Sequence, residues 1–260
     1  MSWRLGVIGS PIRHSLSPQL HEAGLKLLGL EGSSSRHEVS VENFSAFIAT
    51  AGESFDALSV TAPLKNVALD RATDLSPVAI AVHAVNSLRF SEGKLLGHNT
   101  DGEGFVSALR SRFGSGFADA HVVILGAGGS ARSIIASLVG EGVASIAVHG
   151  RSEENVQRAC APYANVFGHS LVYRPVDLIV NTIPGSSRDL EKAVLQGVST
   201  STAAVDITYE PKVSQWLALY EEQGCEVDNG LRMLAHQAAA QLTWWFDESL
   251  DGDSLMEAIA

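Results

Sequence analysis

The chain has 260 residues, 45% of them hydrophobic, and a formal net charge of −11. That length suits one large or two medium domains with proper cores, and an acidic balance without a basic patch argues against a nucleic-acid partner. Two cysteines, Cys160 and Cys225, with no C-x-x-C spacing, exclude a disulfide framework and suit a reducing, cytoplasmic compartment, and no apolar stretch approaches a membrane span.

The first hundred residues alternate strand and helix. Trp3 to Ile8 is extended and apolar from Leu5, which speaks against a signal peptide. Ser17-Pro18 opens a helix, with Ser17 at the N-cap and Pro18 at the first helical position. It buries Leu20, Leu25 and Leu28 and ends near Gly29. Arg36 to Val41 is expected as a strand, Asn43 to Thr50 as a helix, Ala57 to Val60 as a strand and Lys65 to Ala72 as a helix after Pro63. Ala84 to Phe90 and Lys94 to Leu96 form an expected antiparallel pair around Ser91-Glu92-Gly93. Asp101 to Arg112 is an expected linking helix, and Gly114-Ser115-Gly116 an expected break.

A second β-α series starts at His121. Val122 to Leu125 has the apolar, β-branched character of a buried parallel strand. Gly126-Ala127-Gly128-Gly129-Ser130-Ala131 follows, and a helix is expected over Ser130 to Gly142. Strand, loop and helix fall in the order of a dinucleotide-binding turn, G-x-G-x-x-G/A, with Ala131 last. Glycines let backbone N–H groups approach a pyrophosphate, and the helix N-terminus offers it a positive dipole end. Further strands are expected at Ser145 to His149, Asp177 to Val180, Ala203 to Asp206 and Cys225 to Val227. Helices are expected at Leu231 to Phe246 and Asp253 to Ala258.

After Ser145 to His149, an NAD-selective site would carry Asp or Glu for the adenosine ribose. The chain reads Gly150-Arg151-Ser152 instead. The planar fork of Arg151 suits a 2′-phosphate and Ser152 adds a hydroxyl donor, which favours NADP. The nine histidines form no metal-ligand constellation, so no metal is expected.

Four polar segments follow expected strands: Gly9 to Pro18, Ser59 to Lys65, Ala84 to Ser87 and Gly97 to Gly102. In open α/β sheets, ligands bind beyond the carboxyl ends of the strands. In this order the segments resemble the shikimate dehydrogenase family, whose patterns are G-x-P-x-x-H-S-x-S-P, N-V-T-x-P-x-K, A-V-N-T and N-T-D-x-x-G. Its glycine loop G-A-G-G-x-x-R and late G-L-x-M-L-x-x-Q match Gly126 to Arg132 and Gly230 to Gln237. The likeness spans nearly the whole chain.

The resemblance implies NADP-linked, reversible reduction of 3-dehydroshikimate to shikimate, in aromatic amino-acid (chorismate) biosynthesis. It implies two α/β domains. Residues 1–100 with 231–260 would form the substrate domain and 101–230 a doubly wound, Rossmann-type NADP domain, with the C-terminal helices returning to the first and the active site in a cleft. Lys65 is the implied proton donor and Asp101 its partner; burial would ease the proton off while the Asp101 charge would hold it on. Ser15, Ser17 and Tyr209 are implied donors to the substrate carboxylate, and Thr61, Asn86 and Gln237 implied contacts to its hydroxyls. Thr182, Ile207 and Gly230 are implied on the nicotinamide side. A monomer and a homodimer are both open, as are quinate or amino analogues as substrates. A non-catalytic NADP-binding sensor would have no need of Lys65 with Asp101.

The chain departs from the pattern at several places. Ser59 stands for Asn, His83 for Gly, Ser87 for Thr, Gly150 for Asn, Ser152 for Thr and Glu22 for Asn, and Ala62 fills a place that is usually larger. His83 is the departure expected to reshape a loop, because glycine alone adopts positive φ freely. Gly150 removes an amide from the adenosine end.

Overall fold

Alternating apolar residues in the first strands serve two cores, one on each face of a sheet. The computed structural model describes residues 2–114, 117–169, 175–185 and 197–259. The chain divides into two units, residues 1–105 with 234–260 and residues 106–233.

The first unit runs β1 (Trp3–Gly9), α1 (Ser17–Leu27), β2 (Gly32–Glu38), α2 (Val41–Ala51), β3 (Ala57–Val60), α3 (Lys65–Arg71), β4 (Asp74–Leu75), α4 (Pro77–Val82), β5 (Ser87–Ser91) and β6 (Lys94–His98), then enters α5 (Asp101–Phe113). Its sheet order is β2-β1-β3-β5-β6-β4. β1 pairs in parallel with β2 and β3, while β5 runs antiparallel to β3 and β6. On one face Leu5 and Ala57 pack with Leu20 and Leu25 of α1 and with Ala235, Leu242, Trp245 and Leu255. The last four lie on α9 (Gly230–Phe246) and α10 (Gly252–Glu257), so the C-terminal helices belong to this unit's core. On the other face Ile8, Leu58 and Val60 pack with Phe44 and Ile48 of α2 and Ala68 and Leu69 of α3.

The second unit runs β7 (His121–Leu125), α6 (Gly129–Gly140), β8 (Ser145–His149), α7 (Glu153–Cys160), β9 (Val166–Gly168), β10 (Leu178–Asn181), β11 (Ala203–Asp206), α8 (Gln215–Glu222) and β12 (Glu226–Asn229). The order β12-β11-β10-β7-β8-β9 is parallel throughout. This is the doubly wound arrangement, whose strand order reverses beside the first strand of the series. Among the described residues no helix is long and apolar enough to cross a membrane.

Several expectations need correction. The second strand lies at Gly32–Glu38, not 36–41, because parallel pairing from Trp3↔Gly32 to Gly9↔Glu38 outweighs the weak β propensity of Ser33-Ser34-Ser35. Ser17 is the first helical residue and not the N-cap; Leu16 holds that place in an αR conformation, with no side-chain capping bond. The β5 strand starts at Ser87, because Ala84 to Asn86 form the approach to it. Its turn is as expected: Ser91 pairs with Lys94, with Glu92 and Gly93 both at positive φ, the geometry of a tight hairpin. His83, at the place where the family has glycine, takes the left-handed conformation itself, φ 51°, and closes α4. Of the expected break at 114–116, Gly114 has φ +85°; Ser115 and Gly116 lie outside the described residues.

Candidate active site

The strand ends of the first unit carry its polar segments. The loop after β1 and the loop after β3 abut: Thr61 N–H donates to the Ile8 carbonyl at 2.9 Å and Ser10 N–H to the Ala62 carbonyl at 3.1 Å. Ser15, in the first of these loops, and Ser17, the first residue of α1, stand together, hydroxyl to hydroxyl at 3.2 Å. The Arg36 guanidinium holds the Ser15 carbonyl at 2.7 Å and Gln19 at 2.7 Å, which fastens the turn to β2. Ser17 is buried and Ser15 half-buried.

Lys65 opens α3 and Asp101 opens α5. Their side chains meet, Nζ to Oδ2, at 2.5 Å, with 14% and 1% of each exposed. The other Asp101 oxygen accepts from Asn86 Nδ2 at 2.8 Å. Asn86 also bonds the Thr100 hydroxyl at 3.0 Å and accepts the Thr100 N–H at 2.9 Å. Gln237 joins from α9, its Oε1 3.4 Å from Asn86 Nδ2 and its carbonyl taking the Thr100 hydroxyl at 3.1 Å. Asn99 completes the set, accepting the Asp101 N–H at 3.1 Å and donating to the Ala84 carbonyl at 3.0 Å. A carboxylate with one oxygen on an ammonium and the other on an amide has little freedom to rotate. The pair is therefore presented in one orientation, as proton transfer at a fixed atom requires.

Thr61 is half-buried beside this group, its carbonyl accepting Leu64 N–H at 2.9 Å just before α3. Sequence reasoning assigns Thr100 and Asn99 no role, although Asn99-Thr100-Asp101 stands out as a polar run. Their bonds run to Asn86 and Ala84, fourteen and fifteen residues away, and no local pattern reveals that pairing.

In the second unit the glycine loop joins β7 to α6. Gly126 has φ +111°, and a Cβ there would lie 2.0 Å from Thr182 Oγ1. Only glycine fits that turn. The Thr182 hydroxyl in turn donates to the Leu125 carbonyl at 2.8 Å, and Gly126 N–H donates to the His149 carbonyl at 2.7 Å. Gly128 sits in the N-cap place of α6, with nothing among the described residues within 4 Å of where its Cβ would be. Open space before a twelve-residue helix that starts at Gly129 fits the pyrophosphate of a dinucleotide. Ala127 and Ala131 are buried, Ser130 half-buried. Arg132, buried in the first turn of α6, has its guanidinium pulled below the usual arginine range by burial and then by Arg158.

Arg151 is exposed after β8, and among the described residues it has no hydrogen-bond or ion-pair partner. Ser152 caps α7, accepting Asn155 N–H at 3.3 Å, which leaves its own proton to donate. A Cβ at Gly150 would come within 3.0 Å of Val156 on α7, so the missing amide goes with close packing of this helix. Sequence patterns do not single out His149. Its buried Nε2 has no hydrogen-bond partner among the described residues, and burial and then His169 hold its imidazole below the ordinary histidine range. Ile207 and Tyr209 follow β11, both half-buried, and Gly230 N–H donates to the Thr208 carbonyl at 2.9 Å.

Comparison with known proteins agrees with this reading. Residues 7–88 match the model of the shikimate dehydrogenase substrate binding domain, and residues 108–184 that of shikimate / quinate 5-dehydrogenase. The chain is 34% identical to a shikimate dehydrogenase (NADP(+)) from a Nostoc species over 94% of its length and 91% of the relative. It is 36% identical to one from Brucella abortus, over 93% and 88%. The crystal structure of a Thermus thermophilus shikimate 5-dehydrogenase, in complex with NADP(H) and shikimate, superposes with a TM-score of 0.88 at 30% identity, covering 99% of this chain and 98% of that one. The chain belongs to the shikimate dehydrogenase family.

Proposed function

We propose that this chain catalyses the reversible, NADP-linked reduction of 3-dehydroshikimate to shikimate, a step toward chorismate and the aromatic amino acids. The buried contact of Lys65 with Asp101 carries this reading, because a proton donor must be held at one fixed point and this ammonium is bonded to a buried carboxylate. When bound, NADPH supplies the hydride for the ketone carbon. Lys65 gives its proton to the carbonyl oxygen, and in the other direction takes the proton of the substrate hydroxyl. Asp101 orients Lys65 and accepts a hydrogen bond from a substrate hydroxyl. Ser15 and Ser17 donate to the carboxylate, as oriented hydroxyls without an arginine fork, with Tyr209 as a third donor. Thr61, Asn86 and Gln237 read the remaining hydroxyls.

The glycine loop, Gly126 to Ala131, cradles the pyrophosphate; Arg151 and Ser152 take the 2′-phosphate; Thr182, Ile207 and Gly230 lie on the nicotinamide side. Cys160 and Cys225 are free thiols, in keeping with a cytoplasmic enzyme. The test follows the absorbance of the reduced cofactor with shikimate and NADP, then with NAD, then with quinate. Turnover is expected with shikimate and NADP, and far less in the other arms. Absence of turnover in every arm sinks the enzyme assignment, and faster turnover of quinate moves it to a quinate dehydrogenase.

A further inference from the structure

The group around Asp101 has a second anchor that the proposed reaction does not use. Gln241 lies one turn beyond Gln237 on α9, so both amides stand on the same stripe of that helix. Gln237 approaches the Asn86 side chain. Gln241 approaches the Asn86 main chain: its Nε2 donates to the Asn86 carbonyl at 2.9 Å and lies 3.2 Å from Ser59 Oγ. Val60 N–H shares that carbonyl at 2.7 Å.

Gln241 is only 1% exposed, and a buried carboxamide is costly unless its polar atoms are engaged. Behind it stands His21, 0% exposed, with Nδ1 on Ser34 Oγ at 2.8 Å and its ring edge-on to Trp245 at 5.1 Å. Burial lowers the His21 pKa to about 4, and Gln241 opposes part of that fall. His21 is therefore neutral near pH 7 and adds no charge behind the site.

Ser59 adds a second observation. The family pattern has Asn at this place, and Ser59 cannot supply a carboxamide. Here a carboxamide comes from α9 and lies 3.2 Å from the Ser59 hydroxyl. We infer that Gln241 is a positioning residue which, with Ser59, replaces the side-chain amide absent from β3. It holds the Asn86 carbonyl, and thereby sets the Asn86 amide on one Asp101 oxygen while Lys65 takes the other. This inference rests on the proposed reaction.

The test compares the unaltered protein with Q241A and with S59N/Q241A for kcat, KM, the pH profile of kcat and Tm. No shikimate oxidation by the unaltered protein overturns the reaction itself and this inference with it. Given an active unaltered protein, Q241A is expected to lower kcat on the order of 10-fold and to shift its pH profile, with KM for shikimate changed less than about threefold. S59N in that background restores most of kcat, since the carboxamide it places on β3 reaches the space that Q241A vacates. Q241A with full kcat and an unshifted profile overturns the inference. So does a loss of kcat that follows Tm alone and that S59N does not restore. Should Q241A not fold, S59A decides: about a threefold lower kcat at unchanged Tm supports the inference, and full kcat with an unshifted profile overturns it.

Discussion

The two units offer their ligands different kinds of surface. In the first, the candidate groups are side chains that hold one another: Lys65, Asp101, Asn86, Thr100 and Gln237 form one bonded set, mostly buried. In the second, the candidate groups are a backbone turn, open at Gly128, and an exposed Arg151. A preorganised set of side chains distinguishes one small polyhydroxy acid from another and fixes a proton. A backbone cradle accepts any dinucleotide pyrophosphate and leaves the choice of cofactor to one or two exposed residues. Changes in the first unit should therefore appear in kcat, and changes in the second in the KM for cofactor.

After Lys65 itself, the largest effect on this contrast is at Asp101. D101N keeps the shape but removes the carboxylate charge that holds Lys65. Steady-state kinetics should show kcat lower by roughly 10²–10³-fold, with KM for NADP little changed. An equal rise in both KM values would show that the site acts only through binding.

Next comes His21, where packing and protonation meet. Its folded pKa of about 4 lies below the ordinary 6.5. Below pH 6.5 the unfolded chain takes up a proton that the folded chain refuses. Stability is thus full above that value and is lost as pH falls toward 4, by roughly 3 kcal/mol at full effect. Urea unfolding across this window should show the slope, and H21N should flatten its part of it. A parallel slope in both proteins removes His21 as the cause.

Smallest is Arg151. Hydrogen bonds to a charged group contribute about 1.5–3 kcal/mol, so R151A should raise the KM for NADP by roughly 10–100-fold and leave that for NAD unchanged. A loss of both cofactors alike would move the role of Arg151 from the 2′-phosphate to the fold.

Much of this was legible in the residues. Ala57 to Val60, Ser145 to His149 and Ala203 to Asp206 read as strands and are strands, because runs of four or five mostly apolar residues are too short for a helix and are buried between neighbouring strands. The elements not read include two apolar helices, α4 with Ala79 and Val82 buried and α8 with Trp216, Leu217 and Tyr220 buried, as well as elements with little apolar signal. In α7 only Val156 and Ala159 are buried, β9 has three residues, and β4 has two. Ser17 misled for a different reason: Ser before Pro is a good cap signal, but here the Leu16 backbone takes the capping place and leaves the hydroxyl to Ser15. The candidate site was legible where a motif is local, as at Lys65 or the glycine loop. It was illegible where a bond crosses the chain, as from Gln241 to Asn86, 155 residues apart.

The most direct test of the division between the units is Lys65→Ala, measured for kcat and, by calorimetry, for shikimate affinity. In this variant kcat is expected to fall by on the order of 10³-fold, with shikimate Kd changed less than about tenfold. Full turnover with weakened binding would contradict it.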